Sequence, residues 1–199
     1  MGEPDGLLAI GGDLSVERLT EAYRHSIFPW YSEGDPILWW SPPERFIIKP
    51  EDIHISHSMK KFFKKHDVRL ELNRDFSDTI HNCRMIHQPQ GEWITDDMER
   101  AYIALHKAGF ATGVEAFFDG EFAGGLYGVN IGRCFFGESM FTVKENGSKA
   151  ALILLAQYLN ERDYIMIDCQ FHTDHLESMG GITVSRSKYL ELLNRGIYS

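Results

Sequence analysis

The chain has 199 residues, 43% of them hydrophobic and 25% charged, with 20 Lys and Arg against 29 Asp and Glu for a formal net charge of −9. That balance predicts one globular domain, or one with a small appended lobe, and excludes a general nucleic-acid binder while suiting a cationic partner. No apolar run approaches the roughly 20 residues that cross a bilayer and no signal-peptide pattern opens the chain, while Cys83, Cys134 and Cys169, an odd set without metal-type spacing, predict reduced thiols in a cytoplasmic compartment.

Ser15 reads as the N-cap of a first helix, with Leu19, Ala22 and Tyr23 recurring at helical spacing. An aromatic and proline-rich segment follows, Phe28-Pro29-Trp30-Tyr31 and Ile37-Leu38-Trp39-Trp40-Ser41-Pro42. Proline fixes φ and removes a donor, so this stretch predicts irregular backbone, neither helix nor central strand. Residues 1–45 read as a small N-terminal lobe, and a second regime spans residues 46–199. There Phe46-Ile47-Ile48 reads as a strand. Ser56 caps a helix with Met59, Phe62, Phe63 and His66 on one face and Lys60, Lys61, Lys64 and Lys65 on the other. Val68–Leu72 alternates like a half-buried strand. Asp75 to Ile86 reads as helix with Phe76, Ile80 and Cys83 inward, and Thr95 caps another that runs to Gly109.

Asp119-Gly120 predicts a hairpin between Gly113–Phe118 and Glu121–Val129, with a further strand at Cys134-Phe135-Phe136. Ser148–Glu161 is helical, and Tyr164–Cys169 is a continuous apolar run expected to be a central strand. A short helix follows Thr173, and Ser185 caps a last one predicted to stop at Gly196. Helices interleaved with a largely antiparallel sheet give an α+β (mixed α/β layer) fold.

Three places can carry chemistry. Asp168 and Gln170 close the apolar strand, and period-two alternation puts them on one face with Cys169 on the other; the alternative is that Asp168 caps a helix or bonds backbone at the sheet edge. Glu138, beside Gly137 at another strand end, can hold a cation or an amine, or be a solvated acid. The four lysines, with Asp67 the only acid between His57 and Arg69, either contact phosphate or solvate a helix face. Asn146-Gly147-Ser148 is a thin anion-binding motif. His81, Cys83 and His87 make a poor metal set, so no metal and no cofactor are expected. Cys169 with His172 and His175 is set aside as a thiol nucleophile because the strand turns Cys169 away.

Gly6-Leu-Leu-Ala-Ile-Gly-Gly-Asp-Leu14, Ile27-Phe-Pro-Trp30, Ile37-Leu-Trp-Trp-Ser-Pro42, Gly124-Gly-Leu-Tyr-Gly128, Phe136-Gly-Glu-Ser-Met-Phe141, Ser148-Lys149 and Ile167-Asp-Cys-Gln170 together resemble the leucyl/phenylalanyl-tRNA–protein transferase family. The resemblance spans nearly the whole chain. It implies transfer of Leu or Phe, and Met less well, from aminoacyl-tRNA to proteins beginning with Arg or Lys, which marks them for degradation under the N-end rule. It implies a C-terminal domain resembling the Gcn5-type N-acetyltransferase fold, acting as a monomer in the cytoplasm. It further implies that Asp168 and Gln170 form a catalytic pair, Asp168 polarising Gln170, with Glu138 as a third residue needed for activity. By the same resemblance Trp30 and Trp93 meet the aminoacyl end of the tRNA. The pocket for the aminoacyl side chain falls to Leu126, Phe135, Gly137, Leu152, Leu155 and Ile167, and the tRNA backbone to Lys60, Lys61, Lys64 and Lys65. His57 stands where the family often has Arg, and Leu155 where an aromatic can occur. The chain begins closer to its first motif, and ends closer to its last helix, than many members. Two rival readings are a CoA-dependent N-acyltransferase on the same fold, which wants a glycine-rich pyrophosphate loop before Ser148, and a non-catalytic module binding tRNA or N-terminal peptides.

Overall fold

The structure, a computed structural model, describes residues 5–87 and 94–198. Strand β1 (Leu7–Ile10), helix α1 (Val16–Arg24), β2 (Phe28–Pro29) and β3 (Leu38–Trp40) build an antiparallel three-stranded sheet of order β1-β3-β2. The aromatic and proline-rich segment is thus less irregular than its prolines predict. Pro29 lies in an edge strand, where a missing ladder donor is tolerated, and its pairing opposite Trp39 comes from a partner ten residues on.

The second sheet has seven strands: β4 (Glu44–Ile48), β5 (Val68–Leu72), β6 (Ala111–Phe118), β7 (Glu121–Ile131), β8 (Cys134–Thr142), β9 (Met166–Asp168) and β10 (Ile182–Ser185). Their order is β10-β4-β9-β8-β7-β6-β5. Every described pairing is antiparallel except β8 with β9. A crossover helix, α5 (Gly147–Asn160), joins that parallel pair, as parallel neighbours require. The apolar run ending at Asp168 is an inner strand, as its composition predicts, though only three residues of it pair.

Helices cover both faces. Helix α2 (His57–Lys65) and α5 pack over one, burying Met59, Ala151, Leu152 and Leu155 with Leu126, Phe135 and Ile167. Helices α1, α3 (Phe76–His87), α4 (Asp96–Lys107) and α7 (Arg186–Tyr198) cover the other, burying Tyr23, Ile80, Tyr102 and Tyr189 with Tyr127 and Phe136. Phe135 and Phe136 fall into different clusters because successive strand residues point to opposite faces. Leu19, Phe28, Tyr31 and Trp39 of the first 45 residues belong to the second of these cores.

The expected caps are in place: Ser15, Ser56, Thr95 and Thr173 each accept a main-chain N–H of the first turn of their helix. Helix α7 does not stop at Gly196. A Cβ there would meet Cys134 Sγ at 2.3 Å, so that glycine serves close packing on β8 and not termination. Asn146 N-caps α5 without a side-chain bond, and a Cβ at Gly147 would sit 1.9 Å from the Ala123 carbonyl. The glycine at this helix start therefore fits the helix onto β7. No helix among the described residues is long and apolar enough to cross a membrane.

Candidate active site

The site forms where the two parallel strands part. Their register runs Cys134–Met166, Phe135–Ile167 and Phe136–Asp168, and ends there. Beyond it β8 is irregular against β7 as well: Tyr127 pairs with Ser139 and Gly128 with Gly137. Glu138 is left as the extra residue of a β-bulge, a device that re-aims one side chain. After Asp168 the chain turns, and Gln170 takes a left-handed conformation at φ 57°. The divergence opens a cavity of about 390 Å³ lined by Leu126, Phe135, Gly137, Leu152 and Ile167, with Glu138 and Gln170 in the same wall.

Five of the six residues expected to receive an aminoacyl side chain thus line one cavity. Leu155 does not: it is 1% exposed within the helical layer, one turn of α5 away from the opening side of Leu152. Sequence reasoning missed Ser139, Met140, Thr173, His175 and Leu176 in the lining. The last three come from the α6 region (Asp174–Ser178), whose return over the cavity no local pattern announces. Cys169 also lines it, on the Ile167 face that alternation gives it; Gln170 is the residue that departs, because its left-handed turn brings it to the cavity while Asp168 does not line it. Burial pushes the Cys169 thiol well above the usual range, which leaves it a poor nucleophile.

Glu138 is held from three sides. The Tyr23 hydroxyl donates to Oε1 at 2.7 Å, the Tyr102 hydroxyl donates to Oε2 at 3.1 Å, and the Gln170 carboxamide nitrogen lies 3.4 Å from Oε1. The two tyrosine oxygens are 2.6 Å apart. Burial pushes the carboxyl up to about 7, against the opposing pull of both tyrosine donors.

Asp168 occupies a different environment from the one expected. It is fully buried, and Oδ2 is ion-paired to Arg45, which is 1% exposed. The Tyr189 hydroxyl donates to Oδ2 at 2.7 Å, while Oδ1 accepts the main-chain N–H of Gln170 at 2.9 Å. Arg45 in turn donates to the Ser26 carbonyl at 3.0 Å and lies over the rings of Phe28 and Tyr189. Asp168 therefore makes no described polarising bond to the Gln170 side chain. It clamps the Gln170 backbone, and the carboxamide reaches Glu138.

Trp30, 44% exposed, stands at a second cavity of about 220 Å³ that shares Glu138, Cys169 and Gln170 with the first. Its ring lies 5.4 Å from Phe171 and 6.0 Å from Trp40. Trp93 lies outside the described residues. Lys60, Lys61, Lys64 and Lys65 are all exposed on α2, and no ion pair among the described residues involves them. His81 reaches Glu99 at 3.5 Å. The described group with metal-ligand proximity is a different one, His172, Asp174 and Glu177, all exposed.

The sequence model of the leucyl/phenylalanyl-tRNA protein transferases matches residues 47–194, and that of their N-terminal domain matches residues 12–43. The chain belongs to the leucyl/phenylalanyl-tRNA–protein transferase family. The leucyl/phenylalanyl-tRNA–protein transferase of Pseudomonas fluorescens (strain Pf0-1) is 47% identical to it over 98% of this chain and 87% of its own. That of Desulfatibacillum aliphaticivorans is 50% identical over 98% and 84%. Among solved structures, a ribosomal-protein-alanine N-acetyltransferase from Brucella melitensis aligns with 56% of this chain and 85% of its own at a TM-score of 0.37 and 13% identity. As a leucyl/phenylalanyl-tRNA–protein transferase family member the chain is a transferase, with aminoacyl-tRNA as donor and protein as acceptor.

Proposed function

We propose that this transferase moves Leu or Phe, and Met less well, from its tRNA to the N-terminal Arg or Lys of acceptor proteins, marking them for N-degron degradation in the cytoplasm. One observation carries the reading: an apolar cavity of about 390 Å³ meets a smaller aromatic one at a carboxylate and a carboxamide. An aminoacyl ester is already activated, so the enzyme needs only to align an amine with the ester carbonyl, move a proton and stabilise the tetrahedral oxyanion. The first cavity suits an apolar or aromatic side chain and selects by shape, which separates similar side chains only modestly. Gln170, its backbone clamped by Asp168, orients the reacting groups; Trp30 and Phe171 offer faces to the terminal adenosine. The exposed lysines of α2 contact the tRNA backbone, and the acidic remainder of the molecule favours a cationic N-terminus. In this reading residues 1–45 act as a lobe that closes the aromatic side of a catalytic unit formed by residues 46–199, and one chain suffices.

The test is a product assay. Protein is incubated with Leu-, Phe- and Met-charged tRNA and with peptides beginning Arg, Lys or Ala, and the products are weighed. Mass gain of one Leu or Phe residue, and a smaller yield with Met, on the Arg and Lys peptides alone is expected. Tight binding of both substrates without any mass gain would overturn the reading.

A further inference from the structure

Among the described residues lining the two cavities there is one carboxylic acid, Glu138. Asp168, on the neighbouring strand, is sealed between Arg45, Tyr189 and the Gln170 amide. Glu138 Oε1, the Tyr23 hydroxyl, the Tyr102 hydroxyl and Glu138 Oε2 close a ring with spacings of 2.7, 2.6 and 3.1 Å. Three hydrogen bonds need three protons. With Glu138 ionised the ring holds two, one on each tyrosine, and both are drawn to the carboxylate, so the short approach between the tyrosines is left without a donor. One added proton on Oε2 completes the circuit: carboxyl to Tyr102, Tyr102 to Tyr23, Tyr23 back to Oε1. The triangle is one proton short, and its carboxyl corner lies where the two cavities join.

We propose that Glu138 is the general base of the transfer, taking the proton of the acceptor's N-terminal ammonium, with Tyr23 and Tyr102 as positioning residues that accommodate it. This rests on the function proposed above. The ammonium gives one proton to Oε2; the freed nitrogen lone pair forms the new C–N bond at the ester carbonyl. The tetrahedral adduct expels the ribose oxygen, which leaves with the second nitrogen proton, directly or through its neighbouring hydroxyl. Peptide, uncharged tRNA and one proton held by Glu138 are the sum.

The energetics fit. An α-ammonium titrates near 7.7–8.0, and burial brings Glu138 up to about 7, so the proton passes between groups matched to within about one unit, the condition for efficient base catalysis. A neutral carboxamide oxygen at Gln170 binds protons far too weakly for this. The charged and titratable groups that face Glu138 are Tyr23 from α1, Tyr102 from α4 and Tyr127 from β7, with Asp168 and Arg45 behind. His175 lines only the first cavity, and burial together with Lys149 lowers its pKa.

The experiment measures kcat against pH with saturating Leu-tRNA and an Arg-initiated peptide. Wild type should show an acid limb near 7. Glu138→Gln should lower kcat by about 10²–10⁴-fold with little change in peptide KM. Tyr102→Phe removes a donor to the charged form, so it should move the limb to higher pH; a fall in kcat with the limb unmoved would reduce the tyrosine to a structural role and overturn its part. His175→Ala should leave the limb in place, and a limb lost there would transfer the role to the histidine and overturn the proposal. Hydroxylamine, already a free base at neutral pH, should be accepted as nucleophile by Glu138→Gln nearly as well as by wild type; an equal loss toward both nucleophiles overturns the proton role. Wild-type transfer with an unimpaired Glu138→Gln sinks this inference alone, whereas absent wild-type transfer sinks the proposed function.

Discussion

Taking the carboxylate from Asp168 leaves Arg45 charged, buried and without its ion-pair partner, a fault of the fold before it is a fault of the chemistry. Asp168→Ala is expected to cost about 3–5 kcal/mol, read as a fall in the urea midpoint, so lost transfer in that variant alone says little about catalysis. Gln170 behaves in the opposite sense. A non-glycine residue in the left-handed region costs roughly 1–2 kcal/mol, so Gln170→Gly should raise stability by about 1 kcal/mol and still depress transfer. A variant both less stable and less active would contradict the view that strain is stored there for function. Glu138 adds a pH dependence of its own. Its folded pKa of about 7 lies above the ordinary 4.5, so between these values the folded state holds more protons than the unfolded one. Stability from this group is present at low pH and is lost as pH rises through that window. The Tm of Glu138→Gln relative to wild type should therefore climb from about pH 4 to about pH 8; a constant difference would contradict a raised carboxyl.

At the scale of elements, α2 separates two roles on two faces. Met59, Phe62 and Phe63 pack on the α5 layer, and the lysines face solvent. Reversing Lys60, Lys61, Lys64 and Lys65 to Glu should leave the unfolding midpoint nearly unchanged and raise KM for tRNA. It should also flatten the salt dependence, by roughly 0.7–0.9 in log–log slope for each phosphate no longer neutralised. Kinetics indifferent to the reversal would remove α2 from the tRNA path. Elements of this sort were legible in the sequence because period, caps and hairpin turn all agree locally, as at Ser56, Thr95 and Asp119-Gly120. Strands β1, β2, β3 and β10 were not, since such short segments carry no period and are ordered by their partners. The site was half legible. Its apolar wall follows from residues on β7, β8, α5 and β9, each identifiable by motif. The left-handed turn at Gln170 leaves no mark in a Gln codon, and the partners of Glu138 come from Tyr23 and Tyr102, 115 and 36 residues away. Tyr23 reads from the sequence only as a buried helix position, which it also is.

Over the whole molecule, the first 45 residues contribute Leu19, Phe28, Tyr31 and Trp39 to the same core as α3, α4 and α7. A lobe bonded this way should not unfold by itself. Three of the four tryptophans lie in that segment, at positions 30, 39 and 40, whereas backbone circular dichroism reports mainly the large sheet and its helices. The two probes should trace one coincident urea transition; fluorescence that moves first would establish an independent lobe. The reason is visible at Arg45. Its guanidinium touches Ser26 upstream, Asp168 on the inner strand and the Tyr189 ring in the final helix, so far-flung stretches of the polypeptide converge on one cation. Truncation just ahead of Tyr189 would strip a wall from a charge that sits in the first strand of the large sheet. It would disarm the amide that Asp168 holds in place, so a lesion in α7 should read out first as lost chemistry at the centre.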